Sequence, residues 1–246
     1  MLENKKVKIR IDKQGLITGI FDKENNVEYI SSPGIWRIIF QDENCLENEL
    51  IPGKGNLVET EKNKDSIKIK YSGFKQKISV EISIRLRGRE ISSEIELFNN
   101  DGKITIREFQ YPYLRINSSA APGLIWGHTG GQKFENLASV IGNWHTNYMA
   151  QDNKAIQMYS LYPGEIATNC FVMHDRDHGL YFGSHDKSFQ NTLHLFRKEA
   201  DGEIAVSFVK YPFLSAGGKY RCSEYLISPY CGTWHKAAGI YRKWAE

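Results

Sequence analysis

The chain has 246 residues, 41% hydrophobic and 25% charged, a composition that supports a buried core and excludes disordered and fibrous classes. Its net charge of +3 comes from 32 basic and 29 acidic residues scattered without a Lys/Arg stripe, so nucleic acid is not an expected partner. No apolar run approaches the roughly 20 residues of a membrane span, and MLENKKVKIR lacks the apolar stretch of a secretory leader; with Met1 as the native start, the expected location is the cytoplasm.

The first third reads as a meander of short strands. KVKIRI, LITGIF and VEYI are separated by the turn-forming runs Asp12-Lys13-Gln14-Gly15 and Lys23-Glu24-Asn25-Asn26. Further on, SIKIKYSGF and KISVEISIRLRG alternate apolar with polar residues at period two, and EISSEIELFNN continues the pattern after Arg87-Gly88-Arg89. In the middle segment Ile78, Val80, Ile82, Ile84 and Leu86 share one face, which predicts an antiparallel sheet with one wet side. No βαβ alternation and no long helical period interrupts this, so the expected fold class is all-β: a large antiparallel two-sheet sandwich. The four cysteines, Cys45, Cys170, Cys222 and Cys231, form no C-x-x-C pair and read as reduced thiols.

Beyond residue 110 the composition shifts, and all seven histidines and four of the five tryptophans lie there. GLIWGHTGGQKF sets Trp126, His128 and Gln132 among glycines that let backbone approach a ligand. Aromatic faces beside hydrogen-bonding groups match a sugar ring, which shows C–H on one face and hydroxyls at its rim. The competing reading is a glycine-rich loop around a buried Trp. VIGNWHTNYMAQD carries Trp144, His145, Asn147 and Tyr148, which serve either as sugar contacts or as core rings. HDRDHG holds ligand-competent residues, but its place between two apolar runs is that of a hairpin turn, so no metal or cofactor is expected.

Two enzymatic chemistries bear on these residue types. Aldose epimerisation needs a histidine acid and a carboxylate base in one cleft; His128, His145 or His185 and Glu165 or Asp186 supply the types, but no local spacing selects a pair. Glycoside hydrolysis needs two carboxylates about 5 to 10 Å apart. Most acidic residues here sit in alternating strands, where a solvated face accounts for them. The chain ends in HKAAGIYRKWAE after a Thr233 cap, with Trp234, Ala237, Ala238, Tyr241 and Trp244 or Ala245 on one helical face.

Three segments together carry a family resemblance. The run YPGEIATNCFVMHDRDHGLYFGSHD (162 to 186), the ending GTWHKAAGIYRKWAE and the opening GLITGIFDK with the later GIWRI resemble a group of bacterial glycoside hydrolases. In those proteins a galactose mutarotase-like supersandwich precedes a (β/α)-barrel. The resemblance covers nearly the whole chain and rests on the order and spacing of the motifs. It implies that residues 1–231 form the sandwich, that 232–246 form a connector helix towards a C-terminal catalytic domain, and that catalytic carboxylates belong to that domain. No catalytic residue is carried over. Tyr162, Gly164, His185 and Asp186 are the family-like positions.

The expected function is thus a non-catalytic, carbohydrate-associated sandwich domain of a glycoside hydrolase, with a carbohydrate ligand and the catalytic domain of the same chain as partners. Candidate sugar contacts are Trp126, His128, Trp144, His145, Tyr148, Tyr162, His185 and Asp186. An epimerase using a His and a carboxylate, and a purely structural docking module, stand as alternatives.

Overall fold

The computed structural model describes residues 1–53, 55–141, 147–149, 156–188 and 190–246, with the backbone alone at 147–149 and 223. Four strands, β1 (Leu2–Glu3), β2 (Val7–Ile11), β3 (Ile17–Asp22) and β4 (Val27–Glu28), make a small antiparallel sheet. There follow β5 (Ile30–Ser32), β6 (Arg37–Asp42), β7 (Glu47–Leu50), β8 (Leu57–Lys62), β9 (Ser66–Ser72), β10 (Ile78–Arg87), β11 (Glu90–Asn99) and β12 (Ile104–Ile116). Next come β13 (Gly123–His128), β14 (Gln132–Phe134), the single turn α1 (Leu137–Val140), β15 (Asn147–Met149), β16 (Ile156–Tyr162), β17 (Ile166–His174) and β18 (His178–His185). The chain closes with β19 (Thr192–Lys198), β20 (Ile204–Lys210), β21 (Gly218–Cys231) and α2 (His235–Ala245).

Two large sheets face each other. One runs β14-β13-β17-β18-β21-β11-β10-β9-β8, the other β15-β16-β19-β20-β12-β6-β7, with β5 beside β12, and the described pairings are antiparallel. The all-β sandwich expected from the alternating strands is the observed fold. Ile78, Val80, Ile82, Ile84 and Leu86 are all buried, as their period requires. One continuous core joins the sheets, and each fully buried large aliphatic or aromatic side chain in it contributes about 1.5–3 kcal/mol. Its centre is aromatic: Phe171 on β17 stacks on Phe182 at 4.9 Å and meets Phe196 and Phe208 of the other sheet at 4.9 and 5.1 Å.

A smaller cluster of Val172, Tyr181, Leu226, Tyr230 and Ala237 lies on the far side of the nine-stranded sheet, where α2 packs against β18 and β21. The helix starts one residue later than expected. Trp234 is the N-cap, with no side-chain cap bond, and Thr233 Oγ1 instead lies 3.2 Å from His235 Nδ1. That shift turns Trp234 outward, 42% exposed, and gives its place on the packed face to Ile240 beside Ala237 and Tyr241. Trp244 stacks on His185 at 4.8 Å, and the Tyr241 hydroxyl accepts from the Asn169 backbone N–H at 3.2 Å.

The connections β16–β17, β18–β19 and β20–β21 all fall at one end of the sandwich, a rim to which residues 163–165, 186–188, 190–191 and 211–217 contribute. Among the described residues no helix is long and apolar enough to cross a membrane, and no group of three His, Cys, Asp or Glu side chains is placed to hold a metal ion. The HDRDHG segment is the β17–β18 hairpin, with His178 Nε2 3.2 Å from the Ala120 carbonyl oxygen. All four cysteines are free thiols.

Candidate functional site

Most of the described residues singled out in the sequence lie between the sheets or under α2. The Trp126 indole donates to His194 Nδ1 at 3.3 Å, so the His194 proton sits on Nε2, which donates to Asn169 Oδ1 at 3.1 Å. Asn169 Nδ2 in turn reaches Thr192 Oγ1 at 3.5 Å, and Thr192 accepts from Lys210 Nζ at 2.5 Å. Lys210 also meets Asp186 at 2.5 Å, with both side chains buried. Burial works against the Asp186 carboxylate, but hydrogen bonds from Lys210 and Ser188 outweigh it and hold its pKa below the usual range. Burial, with Lys210 adding to it, pushes the His194 imidazole down to about 3, so it is neutral.

His128 stacks on Trp126 at 4.8 Å, and its Nδ1 lies 2.9 Å from Ser160 Oγ, which donates to Glu165 at 2.5 Å. The fold thus brings His128 and Glu165, which are of the acid and base types that epimerisation needs, within one hydroxyl of each other. The imidazole is 2% exposed and lies between the sheets, however, not in an open cleft. His185 lies elsewhere, under α2, where Nε2 is 2.9 Å from the Tyr181 hydroxyl and burial lowers its pKa to about 4. Tyr162 is buried at the end of β16. Trp144 and His145 lie outside the described residues, as does the Tyr148 side chain.

The open chemistry lies on the other side of the same strands. On β16, β19 and β20 the inward residues Ser160, His194 and Phe208 alternate with the outward Tyr159, Leu161, Leu193, Leu195, Ser207 and Val209. A groove of about 450 Å³ on this outer face is lined by Tyr159, Leu161, Gly164, Glu165, Asn191, Leu193 and Tyr211. A register row continues from it across the sheet through Leu161, Leu193, Val209, Gln110 and Arg37. Gln110, Arg37 and Arg197 are all under 9% exposed although they face outward, and α2 covers the opposite sheet. Crowding of this kind is what a curved sheet produces on its concave side.

The polar groups of this face are mostly matched. Arg37 grips Glu49 through two bonds of 2.6 and 3.1 Å and lies 5.8 Å over the Tyr113 ring. Arg197 bonds Glu199 at 3.1 Å, and Glu199 accepts from the Tyr113 hydroxyl. Glu108 accepts from Gln110 Nε2 at 3.3 Å and forms no ion pair among the described residues. Burial raises its pKa above the ordinary carboxylate value, with Gln110, Arg37 and Arg107 opposing and Glu47 adding to the rise. Burial, then the charges of Glu108 and Tyr159, raises the Tyr211 phenol well above its ordinary value. Gln110 Oε1 is buried with no hydrogen-bond partner.

Of these groove residues the sequence singles out Gly164 and Glu165. Tyr159, Asn191 and Tyr211 come from three separate segments, and strand register alone brings them together.

No family model matches the sequence, and no curated protein matches it. Among solved structures the fold is shared widely. An α-N-acetylgalactosaminidase from Bifidobacterium bifidum aligns over 99% of this chain and 38% of its own, with a TM-score of 0.63 and 10% identity. A GH36 α-galactosidase from Geobacillus stearothermophilus aligns over 99% of this chain and 42% of its own, with a TM-score of 0.58 and 10% identity. A protein from Escherichia coli K12 assigned as an aldose 1-epimerase aligns over 94% of this chain and 98% of its own, with a TM-score of 0.55 and 11% identity. The fold is therefore the galactose mutarotase-like β-sandwich found within glycoside hydrolases. The chain spans less than half the length of the two glycosidases.

Proposed function

We propose that this chain is a carbohydrate-associated, non-catalytic sandwich domain of a larger glycoside hydrolase, and that its sugar contact is the outer groove of the eight-stranded sheet. In this reading residues 1–231 are the sandwich, 232–246 are the connector, and the partner is a catalytic domain of the same parent chain. The observation that carries it is the pairing of a whole-chain match to parts of larger glycosidases with a groove whose walls combine two tyrosine faces, Glu165 and Asn191. Tyrosine faces suit the C–H side of a pyranose, and a carboxylate and an amide suit its hydroxyls. Trp126 and His128 back the groove from within, one sheet thickness behind Tyr159 and Leu161.

The test is a titration of the full chain with galactose-, glucose- and N-acetylhexosamine-containing oligosaccharides, followed by NMR. Weak binding that Tyr159→Ala and Tyr211→Ala abolish supports the reading. Absence of binding across the panel favours the docking module over it.

The epimerase reading is favoured by one observation, the nearly full mutual coverage with the aldose 1-epimerase fold. Against it, the described candidate acids His128 and His185 are both buried outside the groove. Proton NMR of anomer interconversion with glucose and galactose decides between them: a rate above buffer background establishes epimerase activity.

A further inference from the structure

At the end of the sandwich opposite the rim, another cavity of about 540 Å³ opens between the β10–β11 hairpin, the end of β21 and the first turn of α2. Four cations line it, Lys6, Arg87, Arg89 and Lys236, against two carboxylates, Glu24 and Glu90, so its wall is net positive. Arg89 is committed: it grips the fully buried Asp22 at 2.7 Å, pairs with Glu24 and lies 3.2 Å from Cys231 Sγ. Lys6, Arg87 and Lys236 form no ion pair among the described residues. Asn4 ties two of the contributing segments together. Its Nδ2 donates to the Gly88 carbonyl oxygen at 2.7 Å, and its Oδ1 accepts from the Lys6 backbone N–H at 2.8 Å. Helix α2 starts without a side-chain cap bond, and the positive end of its dipole adds to the same field. Pro229, Tyr230 and Ile240 supply an apolar wall.

We propose that this cavity binds a doubly charged oxyanion, the phosphoryl group of a small phosphate ester or free phosphate, with Lys6, Arg87 and Lys236 as its contacts. The three cations come from separate segments, and a dianion placed among them offsets their mutual repulsion while it gains attraction to each. Arg87 presents a forked donor pair that fits two phosphate oxygens, and the lysines act as point charges. Arg89, held by Asp22 and Glu24, keeps the hairpin in place. The apolar wall gives the carbon skeleton of an ester a surface that free phosphate does not use. The site is independent of the groove and of the sugar contact proposed there.

The test is an NMR titration of the full chain at constant low ionic strength and about pH 7.5, where a phosphate ester is a dianion. The probes are glucose 6-phosphate, inorganic phosphate and glucose. The backbone amides of Gly88, Arg89 and Lys236 should shift saturably with both phosphates and not with glucose. The triple variant Lys6→Ala/Arg87→Ala/Lys236→Ala changes only exposed side chains, so it should melt with the parent, yet bind phosphates at least about tenfold more weakly. Lys236→Gln alone should lose part of that affinity. Tighter binding of glucose 6-phosphate than of phosphate identifies an ester as the ligand, and equal or weaker binding identifies free phosphate. Shifts no larger than at the exposed Lys75, an equal response to glucose, or an affinity unchanged in the triple variant overturns the site.

Discussion

Strands β16, β19 and β20 carry two very different layers on their two sides. Inward lie Thr192, His194 and Lys210, hydrogen-bonded with Trp126 on β13, Asn169 on β17 and Asp186 just after β18 and shut from solvent; of these, Trp126 and Asp186 read as candidate ligand contacts. Outward lie Tyr159, Leu161, Leu193 and Tyr211, an unremarkable set that lines the groove. The difference teaches that residue type marks where a fold invests polar groups, whereas access decides whether they meet a ligand. Buried polar groups must be paired to be tolerated, so a chain of mutual hydrogen bonds between sheets is the expected state of the inner set.

Removing a member of the inner layer should have the largest effect. Lys210→Ala leaves Asp186 buried and uncompensated, and chemical denaturation should show a loss of about 3–5 kcal/mol. Replacing both partners, as Lys210→Met with Asp186→Leu, should recover most of it. A single variant as stable as the parent would break the contrast between the layers.

Acid should act next, through His185. Its folded pKa of about 4 lies below the ordinary value, so its contribution is fully present above about pH 6.5 and is lost as pH falls towards 4. That loss is on the order of 2–3 kcal/mol at its full extent. Because His185 stacks on Trp244, tryptophan fluorescence and thiol labelling of Cys170 should report loosening of α2 before global unfolding. His185→Phe should remove the acid sensitivity.

The outer layer should respond in binding and hardly in stability. Tyr211→Ala, at a position 36% exposed, should leave stability within about 1 kcal/mol yet weaken sugar binding roughly fivefold or more, read by NMR titration. The reverse pattern would mean that the two sides have been assigned the wrong way round.

The smallest effect sharpens the comparison. The Glu108 pKa is raised, so its neutral form favours the fold, and that contribution is present at low pH and lost as pH rises through the folded value. The groups around it are Gln110, Glu47, Arg37, Arg107 and Tyr211. Glu108→Gln should therefore stabilise slightly at pH 7, with the gain vanishing below about pH 4, in thermal melts at both values.

Much of the architecture was legible because strands with one wet face alternate, as Ile78 to Leu86 do. The signal disappears where both faces are covered: every residue of IAVSFVK in β20 is buried, so period two no longer says which side faces the other sheet. Trp126 and His128 read as part of a glycine-rich loop, whereas the structure places both on β13 with their side chains buried. The groove draws on residues 20 to 52 positions apart in the chain, Tyr159, Asn191 and Tyr211, and no local spacing encodes that meeting. The start of α2 was misplaced by one residue because Thr233 is a good capping type, while backbone geometry gave the position to Trp234.

Helix α2 lies along the nine-stranded sheet with Ala237 near Tyr181 and Tyr230, Tyr241 at Asn169 and Trp244 at His185. It therefore points at the rim that holds Gly164, Glu165, Asn191 and Tyr211. Polypeptide continued past Glu246 would be launched from the very edge that bears the groove, so a saccharide resting there would stand at the doorway of whatever followed, close enough for a long glycan to be shared between them.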